Sequence, residues 1–406
     1  MSVSIADIHA AAETMKGAVA RTPLVRAGAL SDRFGADIFL KLETLNHTGS
    51  FKDRGALVKL QSLTPEQRKR GVIAISAGNH AQGVAYHAQR LSIPATIVMP
   101  EGTPFNKVLR TEALGARVIL IGDNINASEP HAKELAAREN LTFVHPYDDE
   151  KIIAGQGVIG LEMLADAPEL DIIIAPIGGG GLISGIATAA KAIKPSIEII
   201  GAEADLYPSM YQALRGLTPT SNGASIAEGI AVKSPGVLTR DIIERLVEDI
   251  ILVDEAAIEA SIQTMLSEAK VLCEGAGAVP LAALRQDPDR FAGKSVGLVV
   301  TGANIDPRIL ASVLLRSMVR NGQMAQLRVT ISDKPGALAA VSNIIANSGG
   351  NIVEIYHQRL FFDLPVKMAD LDVTLETRGV SHVAEILKEL GAAGYPARQL
   401  IDADRI

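Results

Sequence analysis

Tryptophan is absent from this 406-residue chain, cysteine occurs once, and aromatic residues make up only 3%. With Cys273 as the sole thiol there is no internal disulfide framework, which suits a reducing compartment. So few aromatics leave an aliphatic interior of Ala, Leu, Ile and Val. No basic run or basic-aromatic patch occurs and the net charge is -7, so nucleic acid is not an expected partner. The N-terminal "MSVSIADIHAAAETMKGAVART" lacks the apolar stretch of a signal peptide. The longest apolar runs, such as "DIIIAPIGGGGLISGIATAA", are broken by proline and glycines and read as buried strand plus helix, not as a membrane span. Hydrophobic residues at 48% and charged residues at 21% describe an ordinary globular protein, expected in the cytoplasm.

What is present is a recurrence of short β-branched runs between helical stretches. The runs are 37–43, 72–76, 96–100, 117–122, 171–176, 197–203 and 296–302; helices are expected over 81–90, 106–114 and 126–139. Continuous apolar strands alternating with helices predict an α/β fold with parallel sheets covered on both faces. Ligands in such folds sit at the carboxyl ends of strands, where several of these runs enter glycine-bearing turns. The pattern changes near residue 320, where "SMVRNGQMAQ" reads as a linker. Beyond it the order is βαββαβ, a ferredoxin-like arrangement ending in a short strand near 396–401. The expected domains are therefore 1–320 and 321–406.

Four motifs carry chemistry. In "NHTGSFKDRGA", Lys52 lies between glycines; a buried lysine loses its proton readily and then serves as a nucleophile toward a carbonyl. Taken alone, a lysine among turn residues is more often simply solvated. "ISAGNHAQGVA" places Ser76 to His80 at a strand-to-helix junction, where N–H groups can bind an anion, although an ordinary helix cap reads equally well. "PIGGGGLISG" places Gly178, Gly179, Gly180 and Gly181 before a helix, costly in backbone entropy unless the backbone must approach a ligand such as a phosphate. Neither a dinucleotide fingerprint nor a P-loop follows. "VVTGAN" offers the Thr301 hydroxyl at another strand end.

In this order these segments, with "GQGVIGLE", "AEGIAVKSPG" and "CEGAGA", resemble the threonine dehydratases (threonine ammonia-lyases) among the fold type II pyridoxal phosphate enzymes. The resemblance implies a two-lobed, tryptophan synthase β-like catalytic domain. It makes Lys52 the Schiff-base lysine and proton-transfer base, with Phe51 beside the cofactor ring. Asn79 would bond the ring hydroxyl, Gly178 to Gly181 would hold the phosphate, and Thr301 would face the pyridine nitrogen. Ser76, Ala77, Gly78, Asn79 and His80 would receive the substrate carboxylate. The implied reaction converts L-threonine to 2-oxobutanoate and ammonia, and L-serine to pyruvate. Serine racemases are similar but carry a second serine where this chain has Ala77, and their divalent-cation site is not clearly matched: Glu203 is present, but Tyr207 and Ser209 follow. No metal is assigned. The C-terminal segment, with "DKPG" and "GGNI", resembles an ACT regulatory domain, implying a homo-oligomer and an amino-acid effector, isoleucine or valine, near Gly336, Asn351 and Ile352. The alternatives are a serine racemase or serine-specific dehydratase, and a catalytically silent amino-acid sensor. Cys273, His47 and "TPEQRKRG" read as buried filler, loop and solvated segment.

Overall fold

The computed structural model describes residues 3–358 and 365–400. Contacts divide the chain into two compact units, Met1–Ile305 and Asp306–Ile406. The first holds two sheets. One is entirely parallel, in the order Arg117–Leu120, Ala95–Met99, Val72–Ile75, Thr142–Phe143. The other runs Leu24–Arg26, Asp37–Leu42, Ser295–Val300, Ile172–Pro176, Glu198–Ala204, Asp249–Val253, parallel except for its first pair. The apolar runs form these strands, and the central ones are buried along their full length. Three strands escaped the sequence reading: Leu24–Arg26 and Thr142–Phe143, too short to show a pattern, and Asp249–Val253.

Helix packing positions the site. Lys52–Gln61 and Gly181–Ile193 both pack on one long helix, Glu150–Asp166. The crossings are made by glycine. A Cβ at Gly155 would sit 2.6 Å from the Gly55 Cα, and one at Gly157 2.9 Å from the Gly185 carbonyl oxygen. Without side chains at these points the backbones meet, and the starts of the Lys52 helix and of the tetraglycine helix are held on one support.

The second unit is a four-stranded antiparallel sheet, ordered Asn351–Gln358, Met368–Glu376, Met324–Ser332, Ala397–Gln399, with helices Ala337–Asn347 and Val380–Ala392. Leu327, Val329, Ile331, Leu371, Val373, Val341, Ile345 and Ile386 form its core. The βαββαβ order is the one expected; the end of the last expected strand, from residue 401, lies outside the described residues. The linker is corrected. Helix Pro307–Arg320 runs through Ser317 to Arg320, and only Asn321–Gln323 separates it from the strand at Met324. A helical apolar pattern at Leu310, Val313 and Leu314 had continued into the supposed linker. Among the described residues, no helix is long and apolar enough to cross a membrane.

Candidate active site

Lys52 is the first residue of its helix. The loop before it is stitched to the end of the strand Ser295–Val300: Phe51 N–H donates to the Thr301 carbonyl (3.0 Å), Ala303 N–H to that of Gly49 (2.9 Å), and Ser50 bridges to Gly302. The expected residues Lys52 and Thr301, 249 positions apart, thus belong to one backbone junction. Gly83 lets the helix Asn79–Arg90 press against the same point, since a Cβ there would lie 3.1 Å from the Lys52 carbonyl oxygen.

The Lys52 ammonium donates to the Pro146 carbonyl (2.7 Å) and lies 5.1 Å from the centre of the Phe51 ring. Burial pulls its pKa from 10.5 down to about 8, with the Glu274 charge opposing. A neutral amine is therefore accessible near physiological pH. Thr301 is buried, and its Oγ1 has no hydrogen-bond partner among the described residues. Such a group is costly to leave unpaired and fits a heteroatom supplied by a ligand.

The four glycines lead from the strand Ile172–Pro176 into the helix Gly181–Ile193, with Gly180 at φ +93°, a left-handed conformation. Each position is also crowded. A side chain at Gly179 would run into the Tyr147 ring, one at Gly181 would lie 2.7 Å from the Tyr147 carbonyl oxygen, and one at Gly178 3.0 Å from the Ile230 Cα. First-turn N–H groups of a 13-residue helix have no intrahelical partner and face a cradle a phosphate can occupy. Thr239 Oγ1 donates to the Gly179 carbonyl (2.7 Å), pinning the loop from behind.

The loop Ser76–Gly78 is half-buried, and its helix starts at Asn79 with Gly78 as cap. Ser76 Oγ accepts from Gly78 N–H (3.1 Å). His80 differs from expectation. Its ring is buried with Nε2 3.0 Å from the Val144 carbonyl, and burial, reinforced by Lys52, lowers its pKa to about 3. The imidazole is neutral and committed, so only the His80 backbone N–H remains for a carboxylate.

Sequence reasoning missed two residues. Glu274, inside "CEGAGA", is buried, accepts from Asn79 Nδ2 (2.7 Å), and is pushed up to about 7 by burial. Asn304, inside "VVTGAN", donates through Nδ2 to Asn79 Oδ1 and to the Thr48 carbonyl, both at 2.7 Å. Both segments had been singled out, but neither residue stands out within its own. Glu203 is spent elsewhere: it accepts from the N–H groups of Met210 (2.9 Å) and Tyr211 (2.8 Å). No cluster of three metal-ligating side chains occurs among the described residues. Cys273 is buried and its thiol is pushed up to about 12, so it is inert. His47 stacks on Tyr86, with ring centres 4.0 Å apart.

In the second unit the three expected effector residues do not converge. Gly336 opens the helix Ala337–Asn347, while Asn351 and Ile352 begin the strand beyond it. Asn351 pairs with Glu376 at the Met324 end of the sheet, and Gly336 follows its Ser332 end.

Comparison with known proteins agrees with this geometry. Residues 15–302 match the family "Pyridoxal-phosphate dependent enzyme" and residues 320–393 match "ACT domain". The chain is 42% identical to an L-threonine ammonia-lyase of Thermotoga maritima, covering 98% of this chain and 99% of that one. It is similar to the structure of a processed threonine deaminase isoform from Solanum lycopersicum (TM-score 0.74, 35% identity, 78% of this chain and 87% of that). It is also similar to a maize serine racemase (TM-score 0.74, 33% identity, 79% and 100%).

Proposed function

The chain belongs to the pyridoxal-phosphate dependent enzymes, and from that footing we propose that it dehydrates and deaminates L-threonine to 2-oxobutanoate and ammonia, and L-serine to pyruvate. The observation that carries this reading is the junction of Lys52, a lysine of lowered pKa, with the unpaired Thr301 hydroxyl beside a glycine cradle. When bound, pyridoxal phosphate supplies an electron sink for the charge left at the substrate Cα. Gly178 to Gly181 would hold its phosphate, Phe51 would flank its ring, Asn79 would bond its ring hydroxyl and Thr301 its pyridine nitrogen. Backbone N–H groups at Ser76 to His80 orient the substrate carboxylate. Lys52 Nζ takes the Cα proton; the β-hydroxyl departs with a proton as water. The released enamine tautomerises and is hydrolysed to the 2-oxo acid and ammonia. Threonine and serine differ by one methyl, worth only ~1–3 kcal/mol, so both are accepted.

Ala77 argues for elimination over racemisation, because a methyl group cannot return a proton from the opposite face. Assayed on L-serine, the enzyme should give pyruvate in large excess over D-serine. Ala77→Ser should raise D-serine formation by about tenfold or more, as a positioned acid-base group would. Racemisation matching elimination in the unaltered enzyme would sink the reading.

The ACT domain binds an amino acid and adjusts turnover, in a homo-oligomer of this cytoplasmic enzyme. Because Gly336 and Asn351 lie at opposite ends of the sheet, a site using both requires a second copy of the domain. Isoleucine or valine should bind the full chain in calorimetry and shift its threonine response. Asn351→Ala should move the half-maximal effector concentration by about fivefold, one hydrogen bond's worth. No binding of either amino acid would remove the sensor role.

A further inference from the structure

Glu274, Asn79 and Asn304 form a chain of hydrogen bonds beside the Lys52 junction. Asn304 Nδ2 spends one hydrogen on the Thr48 carbonyl and the other on Asn79 Oδ1. Asn79 Nδ2 spends one hydrogen on Glu274 Oε1. An amide has one accepting and one donating end, so its direction is set by what faces it. Here both ends are determined. The Thr48 carbonyl can only accept, which forces the Asn304 NH2 toward it and toward Asn79. Asn79 therefore meets Asn304 with its oxygen, which leaves its NH2 on the side of Glu274. Of the four hydrogens on the two amides, three are engaged among these partners. The fourth, on Asn79 Nδ2, is left over.

We propose that Asn304 is a positioning residue, which with Glu274 locks the Asn79 amide so that one N–H is always presented to the ring hydroxyl of the bound cofactor. This rests on Asn79 being the partner of that hydroxyl. The lock matters because a freely turning amide would present its oxygen to the hydroxyl about as often as its NH2. The two faces favour opposite protonation states of that oxygen: a donor stabilises the oxyanion, an acceptor stabilises the hydroxyl. The resting cofactor is therefore held in one form. Asn304 needs no contact with substrate or cofactor to do this.

The test is the absorption spectrum of the resting holoenzyme, read as the ratio of its near-ultraviolet to its visible cofactor band. Asn304→Asp keeps the shape but cannot donate, so Asn79 turns its NH2 toward residue 304 and loses the spare donor. The ratio should change roughly fivefold, the effect of one hydrogen bond. Asn304→Ala should change it in the same direction, and decides the matter if the aspartate variant does not fold. Each variant is then made in an Asn79→Ala background, where removing Asn304 should leave the ratio unmoved. A wild-type ratio in both single variants overturns the proposal. So does an Asn304 effect of full size in the Asn79→Ala background, which would mean it acts through the loop at Thr48 instead. Failure of the underlying reading looks different: the unaltered enzyme would then show no borohydride-sensitive visible band at all.

Discussion

Lys52→Ala should lose roughly 10³-fold or more in 2-oxobutanoate formation, because it removes the nucleophile and the base in one step. The lost amine is buried, bonded to the Pro146 carbonyl, and placed on the first turn of a helix. The positive end of that helix works against an ammonium and so with burial, while Glu274 works the other way. Borohydride treatment of the unaltered holoenzyme should attach the cofactor to the peptide containing Lys52, and the variant should show no such adduct. The lowered pKa adds a second expectation. Only the neutral amine captures an aldehyde, so cofactor uptake by the apo chain should accelerate as pH rises through about 8, not through the ordinary 10.5. A Lys52→Ala enzyme within tenfold of normal turnover would dismiss the assignment, whatever the uptake profile.

Arg54→Ala should cost ~3–5 kcal/mol of stability, because it leaves a buried carboxylate largely unpaired. Arg54 and Glu43 are both 0% exposed. The guanidinium donates from Nε and Nη2 to Glu43 (2.7 and 2.8 Å) and from Nη1 and Nη2 to Glu162 (2.9 and 2.8 Å). Lys41, also buried, bonds Glu162 and the Thr22 carbonyl, both at 2.6 Å. Two cations and two carboxylates therefore balance directly beneath the Lys52 helix. Removing Arg54 leaves Lys41 alone against both. The melting temperature should fall on the order of 10 °C. Arg54→Lys should recover only part, since an ammonium lacks the planar fork that spans two carboxylates. Burial by itself would raise the Glu43 pKa, but Arg54, Lys41 and the Thr22 hydroxyl together more than offset it and the net shift is downward. Its stabilisation is therefore complete above the ordinary value of 4.5 and is lost as pH falls through the lowered one. Wild type and variant should converge in acid. A change in melting temperature under 2 °C at neutral pH would show that the network contributes little.

Local sequence was enough for most of the elements and for the chemical vocabulary of this protein. Apolar runs such as Ile172–Pro176 and Val72–Ile75 can be buried only as interior strands, and the βαββαβ order after residue 320 admits few folds. Lys52, Asn79, Thr301 and the glycine run were legible through the order in which their motifs follow one another, since most of them taken alone also read as a plain turn, cap or strand end. Tertiary structure decided how these residues meet. No local pattern tells that Phe51 bonds the Thr301 carbonyl, or that Gly155 and Gly157 exist so that two other helices can touch the same one. Glu274 and Asn304 were invisible because their roles consist of partners 195 and 225 positions away from them, both reached through Asn79. That the His80 ring is unavailable was hidden for the same reason, as the Val144 carbonyl that claims it arrives from another strand's end. Nothing in the local sequence separates Arg54 from an ordinary surface charge. Only the packing of Glu43 and Glu162 around it, in a place water cannot reach, makes it part of the interior.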